Sequence, residues 1–275
     1  MPERKLARAT RASLLSATLL AAAVPAAASA GEGPIQDNSF LIEEAYNQEA
    51  GVIQHISTFN RANGGDWSYS FTEEWPVLGQ THQASVTFQL QHLQPSTTGV
   101  GDLALNYRWQ AVGSGQTPVA FAPRLSILLP TGDVSRGLGS GGAGLQVNLP
   151  LSSVLSEHFV THANLGGTYV PSADAAGGGS TELGAFSVGQ SLIWLAHHNL
   201  NFMAEAVYTT QWLGSERTDF ITVNPGVRAA IDFKSGLQIV PGVAVPITLG
   251  KGQPDAGIFF YLSLEHPFWL AGPQA

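Results

Sequence analysis

Along most of the chain, apolar and polar residues alternate one for one, the period that sends successive side chains to opposite faces of a strand. Trp67, Tyr69, Phe71 and Trp75 enclose Ser68, Ser70 and Thr72. Ala84, Val86, Phe88 and Leu90 alternate with Ser85, Thr87, Gln89 and Gln91, and Leu103, Leu105, Tyr107 and Trp109 with Asn106, Arg108 and Gln110. Clusters of Gly, Pro, Ser and Asn break the pattern into twelve segments, at about 51–60, 66–77, 81–93, 101–112, 117–129, 143–152, 159–171, 182–196, 200–213, 219–233, 237–248 and 256–269. The fold class expected is all-β: a closed antiparallel transmembrane β-barrel of about 12 strands, whose even number suits one chain with both ends on the same side.

Two further patterns support a barrel. Connections should be short at the periplasmic rim and longer outside. Leu78-Gly79-Gln80, His197-His198-Asn199 and Lys234-Ser235-Gly236 are short, whereas 130–142 and 172–181 are long; Ser153 to His158 is a longer periplasmic exception. Aromatic girdles should mark both interfaces. Trp67 and Trp212 fall at the outer end, and Trp75, Trp109, Trp194 and Trp269 at the periplasmic end. Eight residues separate Trp67 from Trp75, about 21 Å in height at ~3.4 Å per residue and ~40° tilt. A soluble β-sandwich also alternates, but its outer face needs charge, and only 12% of these 275 residues are charged.

The start of the chain reads as an export signal, residues 1–30. Arg4, Lys5, Arg8 and Arg11 precede an apolar stretch from Leu14 to Val24 and the cleavage pattern Ala28-Ser29-Ala30. That stretch falls short of the ~20 residues a spanning helix requires. Removing it takes four basic residues and one acidic residue, leaving eight basic against nineteen acidic. Nucleic acid is therefore not an expected partner. The chain has no Cys, which excludes disulfides, thiolate metal sites and lipidation at an N-terminal Cys. The expected surroundings are the bacterial outer membrane and its lipids, reached through the barrel-assembly machinery.

Residues 31–50 precede the first strand. Within them, Asp37 to Glu49 suggests a short helix capped by Asn38 or Ser39 and carrying Phe40, Leu41, Ala45 and Tyr46, with Glu43 and Glu44 near its start. It is expected either to rest at the rim or to plug the mouth. Three stretches, DNSFLIEEAYNQEAGVIQHI (37–56), LPTGDVSRGLGSGGAGLQVNLPLS (129–152) and LSLEHPF (262–268), resemble the outer-membrane family named for the MetA pathway of phenol degradation. The resemblance runs over most of the chain after residue 30. It implies a barrel that passes small, hydrophobic or aromatic molecules, and it brings no ligand residues. The tail 270–275 continues past the last aromatic pair, unlike many barrel C-termini.

No catalytic, cofactor or metal site emerges from the motifs. Gly139-Ser140-Gly141-Gly142-Ala143-Gly144 fits G-x-G-x-x-G, but a strand follows where a dinucleotide site needs a helix. There is no G-x-S-x-G and no HExxH. The histidines are scattered over different segments, without carboxylate pairs beside them, and the one i, i+4 pair, His158 and His162, runs from a turn into a strand rather than along a helix; His162 points inward by parity and His92 outward. The charged residues facing the lumen by parity are Arg108, Arg124, Glu205, Arg228, Asp232 and Glu265. These are the candidate constriction, with Glu205 expected beside Arg228 and the like-charged Arg108 and Arg124 in need of an acid, an anion or water. The function expected is passive passage of small solutes, without catalysis or cofactor, with loops 130–142 and 172–181 controlling access. The alternatives are a closed structural or surface-binding barrel and, less favoured, an outer-membrane lipid hydrolase.

Overall fold

The computed structural model describes residues 39–175 and 178–268. The export signal, Asp37, Asn38, Trp269 and the tail lie outside the described residues. Sixteen strand segments form one antiparallel sheet that closes on itself as twelve barrel strands. They are β1 (Val52–Ala62), β2 (Trp67–Pro76), β3 (His82–Leu93), β4 (Thr97–Val100 and Leu103–Trp109), β5 (Val119–Phe121 and Arg124–Leu129), β6 (Gly144–Ser156), β7 (Phe159–Asp174), β8 (Ser180–His197), β9 (Leu200–Leu213), β10 (Glu216–Ala229 and Ile231–Asp232), β11 (Gln238–Ala244 and Ile247–Gly250) and β12 (Asp255–Pro267). Every expected strand is present. Breaks in β5 and β11 fall at Ala122-Pro123 and Val245-Pro246, where proline has no N–H to give to the ladder.

Closure comes from β1 against β12, paired without interruption from Val52 opposite Pro267 to Ala62 opposite Gly257. With no free edge, every strand can lend its backbone groups to a neighbour, the condition for crossing hydrocarbon with strands. The two faces then separate as the alternation requires. Leu105, Tyr107 and Trp109 are each more than 40% exposed, while Asn106 and Arg108 between them are buried. The outer face carries ring pairs between neighbouring strands, such as Phe71 with Phe88 at 5.2 Å and Trp194 with Phe202 at 5.6 Å. Inside, polar pairs bridge the strands: Thr58 to Ser70 at 2.6 Å, Thr72 to Thr87 at 2.9 Å, and the Gln146 amide donating to Thr168 at 3.0 Å.

The connections differ from expectation because the strands are longer. β6 runs to Ser156 and β7 begins at Phe159, so the Ser153–His158 exception shrinks to a turn at Glu157-His158. On the other rim, β7 and β8 extend into 172–181 to Asp174 and from Ser180. The segment 130–143 remains a loop and folds inward. Leu138 is fully buried, in a notch left by Gly99 and Gly132, where a Cβ would collide with its side chain or backbone. Asp102 anchors the loop by accepting the Gly132 N–H at 3.0 Å and the Ser140 N–H at 2.8 Å.

Among the described residues there is no α-helix, only a 3-10 turn at Val134–Arg136. The helix expected over 37–49 does not form in its described part, 39–49, which is irregular chain buried inside the barrel.

One stability prediction follows from the two faces. Ile127 faces outward on β5, while its neighbour Ser126 is fully buried on the lumen side. Ile127→Arg is expected to cost about 2–4 kcal/mol, the depth-dependent penalty for a cation on the lipid face. Equilibrium unfolding in phospholipid vesicles measures it; a loss below about 1 kcal/mol would put residue 127 at the interface rather than in hydrocarbon.

Candidate functional site

A stretch of chain sealed inside a polar lumen has to find partners for its backbone amides, because unpaired buried N–H groups are costly. Residues 41–48 find them on the barrel wall. The Leu41 and Ile42 N–H groups donate to Oε1 of Glu205 on β9, at 2.7 and 3.0 Å. Glu43 N–H donates to Asn164 Oδ1 on β7 at 2.7 Å, and Ala45 N–H to Ser152 Oγ on β6 at 2.8 Å. Asn47 N–H donates to Gln110 Oε1 at 2.9 Å, and Gln48 N–H to Gln83 Oε1 on β3 at 2.7 Å. In a helix these amides would be taken by carbonyls four residues back. Here wall side chains take that role, which is why the helix-like spacing of Phe40, Leu41, Ala45 and Tyr46 does not produce a helix. Ser39, an expected cap, is buried with its hydroxyl unpartnered.

The same segment supplies charge. Arg108 and Arg124 stand directly opposite each other on β4 and β5, so two guanidiniums share one patch of wall. Glu43 approaches Arg124 with Oε1 at 2.5 Å from Nη2 and 2.7 Å from Nε. Arg108 donates to Asn47 Oδ1 at 2.8 Å and to the backbone carbonyls of Glu44 and Tyr46. The acid beside Arg124 therefore comes from the segment, while Arg108 lies among Glu74 of the β2 wall and Glu43 and Glu44 of the segment. The other end of the segment is apolar: the Phe40 ring lies 5.5 Å from Phe259 and 5.6 Å from Tyr261, within a cluster that includes Ile56, Ile193, Met203 and Val240. Gly226 and Gly242 make room for this ring, since a Cβ at either would strike it.

Five of the six candidate constriction residues, Arg108, Arg124, Glu205, Arg228 and Glu265, are buried at 5% exposure or less. Asp232 is a correction. It keeps its inward parity, opposite Gln238 in the same register that sets Arg228 opposite Gly242, but it lies exposed at the rim end of β10, where it accepts from Gln238 Nε2 at 2.7 Å, outside the buried charged set. The expected facing of Glu205 and Arg228 is a second correction. β9 and β10 join through Gly214 and Ser215 alone, with Leu213 opposite Glu216; this tight turn sets Glu205 across from Asn224 and Arg228 across from Asn201. Glu205 Oε2 accepts from Asn224 Nδ2 at 2.7 Å, and its other oxygen serves the segment. Glu265 sits opposite Gln54 and Gln238.

The constriction set drawn from parity left out Glu43, Asn47, Gln83 and Asn164, and Gln110, although placed on the polar face, was not singled out. Gln83 and Asn164 carry the inward parity of their strands and were legible as lining. Glu43 and Asn47 precede the strands, where no parity applies. Next to Arg124 a small recess of about 30 Å³ remains, lined by Gln146, Asn148, Gly166, Thr168, Ser187 and Thr209. Elsewhere in the lumen Ser152 and His162 meet, Oγ to Nδ1 at 2.7 Å. Both are buried, with Tyr46 edge-on to the imidazole at 6.3 Å and the Ala45 N–H on the serine oxygen. This contact anchors the segment and is closed to a substrate.

An apolar outer belt, a closed twelve-stranded sheet and a polar, charged interior define a transmembrane β-barrel. Solved barrels with this fold include the COG4313 outer membrane channel from Pseudomonas putida F1, with a TM-score of 0.61 and 12% identity over 82% of this chain and 98% of that one. The NanC porin follows at 0.52 and 6% identity over 79% and 100%, and the KdgM porin at 0.50 and 7% over 78% and 99%. No sequence-family profile and no curated relative matches the chain.

The buried pair makes a testable demand. Glu43→Gln leaves the Arg124 guanidinium without its counter-charge beside Arg108, and removal of one partner of a buried pair costs about 3–5 kcal/mol. Denaturant unfolding is expected to show that loss, whereas the apolar double variant Glu43→Leu/Arg124→Met is expected to lose less than Glu43→Gln alone.

Proposed function

We propose that this protein is an outer-membrane channel for passive passage of small solutes, with residues 39–48 as a plug that occupies its lumen. The observation that carries the proposal is the mode of plugging. The segment is held by side chains of the wall, one hydrogen bond at a time, with no backbone ladder of its own, so it is an insert in a lumen and not a thirteenth strand. Arg108, Arg124, Glu205, Arg228 and Glu265 form the charged constriction through which a solute passes once the insert moves. The inward loop anchored by Leu138 and Asp102 narrows the opposite mouth. Membership in the MetA-pathway family of phenol degradation, with a hydrophobic or aromatic permeant, rests on the sequence resemblance; the apolar patch of Phe259, Tyr261, Ile193 and Met203 beside the Phe40 ring supports such a permeant. Chemistry by the barrel itself forms no part of this reading.

A second reading has its own observation. The plug is nearly completely buried, with Phe40, Ile42 to Gln48 at 3% exposure or less, as a permanently closed structural barrel would require. Planar-bilayer recording separates the two. The intact protein is expected to conduct weakly. A variant lacking 39–48 is expected to conduct several-fold more, as is Gly242→Leu, which fills the notch under Phe40 without altering charge. If both variants keep the heat-modifiable mobility of a folded barrel and neither conducts above the intact chain, the channel reading fails and the closed barrel stands. With the plug removed, Arg108→Ala/Arg124→Ala is expected to shift ion selectivity from anions toward cations, read as the reversal potential in a salt gradient.

A further inference from the structure

Barrel closure brings together three side chains that are far apart in sequence. His55 on β1 stands directly across from Glu73 on β2, and His266 lies diagonally beside it on β12. All three are on the outward face near the rim where the chain enters the sheet. The Nε2 atoms of His55 and His266 are 3.1 Å apart. Each ring is held from behind by its other nitrogen: His266 Nδ1 lies 3.0 Å from the Pro267 carbonyl oxygen, and His55 Nδ1 lies 3.7 Å from Glu73 Oε2.

The carbonyl contact orients His266. A carbonyl oxygen only accepts, so His266 Nδ1 carries a hydrogen and its Nε2 lone pair faces His55. The two Nε2 atoms point at a shared space, which either one hydrogen or one cation bound by both lone pairs can fill. Their separation is within a few tenths of an ångström of that between two nitrogens each about 2.0–2.1 Å from one tetrahedral zinc. A carboxylate or backbone carbonyl behind each imidazole is also the arrangement that orients metal-binding histidines.

We propose that His55 and His266 form a two-histidine site for a late divalent transition metal, Zn²⁺ or Cu²⁺, with Glu73 as its positioning residue, and that the bound ion staples the last strand to the first. Imidazole suits these cations, whereas Ca²⁺ and Mg²⁺ require oxygen ligands. Among the described residues no three His, Asp or Glu side chains are set to hold a metal ion together, so water or a lipid phosphate oxygen completes the coordination. The pair is reachable, with His55 27% and Glu73 40% exposed.

The test uses the full barrel purified without a polyhistidine tag. Titration calorimetry with Zn²⁺ is expected to give one equivalent per chain, and Cu²⁺ is expected to show nitrogen hyperfine coupling in its paramagnetic resonance spectrum. His55→Ala and His266→Ala each abolish that site, and His197→Ala/His198→Ala leaves it intact. Glu73→Gln weakens affinity by about 10–100-fold, the usual effect of losing an outer-shell partner. Zn²⁺ is also expected to raise the heat-unfolding midpoint of the intact barrel but not of His266→Ala, because a ligand that binds only the folded state stabilises it. Equal Zn²⁺ uptake by the intact protein and by His55→Ala/His266→Ala overturns the proposal. So does a lack of uptake by the intact protein, which assigns the space between the two nitrogens to a shared proton.

Discussion

Everything in this molecule depends on the uninterrupted pairing of its first strand with its last. Until β1 meets β12, the sheet has two open edges of unpaired N–H and C=O groups and cannot reside in hydrocarbon. Once it closes, inside and outside become physically different places, and each residue's parity assigns it to one of them. The outer face can then be apolar without penalty, which explains a chain with so few charges. The inner face can hold five carboxylates and three guanidiniums, Glu43, Glu44, Glu74, Glu205, Glu265, Arg108, Arg124 and Arg228, all buried.

Closure also fixes what the lumen must contain. A ring of inward Gln, Asn, Ser and Glu side chains exposes acceptors that need donors, and an unstructured segment exposes amides that need acceptors. Each satisfies the other. A net gain of about 0.5–1.5 kcal/mol per hydrogen bond is typical, so several such contacts together with the Glu43–Arg124 pair hold the segment without secondary structure. The cost of leaving these groups unpaired is larger than the gain from pairing them. The insert and the wall are thus mutually required in the described state.

How much of this was legible in the sequence follows from which interactions are local. Period-two alternation reports a strand and its faces directly, and the twelve strands, the inward arginines and the outward aromatics were all readable from it. Register is set by turns. The two-residue connection at Gly214-Ser215 sets Glu205 against Asn224, and a looser turn assumed there misplaced the acid beside Arg228. Asp232 keeps its parity but lies at the exposed rim end of β10, and alternation does not show where along a strand the buried part of the lumen stops. The segment before β1 deceived in a different way. Its apolar spacing suited a helix, while the acceptors that unmake that helix lie on β3, β6, β7 and β9, between 35 and 164 residues away. The histidines teach the same lesson, since linear spacing finds i, i+4 pairs and cannot see residues 55 and 266 meeting at the seam.

The way the insert is attached decides how it can move. Its Gln48 end is tied within four residues to Val52, the first residue of β1, and β1 cannot shift without opening the barrel. Its Phe40 end has no such tether among the described residues; it is held by ring contacts with Phe259 and Tyr261 and by the fit over Gly226 and Gly242. Between them, Glu43 and Asn47 bind Arg124 and Arg108 through directional polar contacts. Apolar contacts are non-directional and are exchanged readily for contacts with another apolar surface, whereas the buried ion pair is lost only at the full cost of an uncompensated charge. The two halves are therefore held differently: the half carrying Phe40 and Ile42 by ring contacts and by the Leu41 and Ile42 amides on the Glu205 carboxylate, the half carrying Glu43 and Asn47 by Arg124 and Arg108. Displacement from the Phe40 end uncovers Glu205, whose carboxylate loses the Leu41 and Ile42 amides while Asn224 continues to hold its other oxygen.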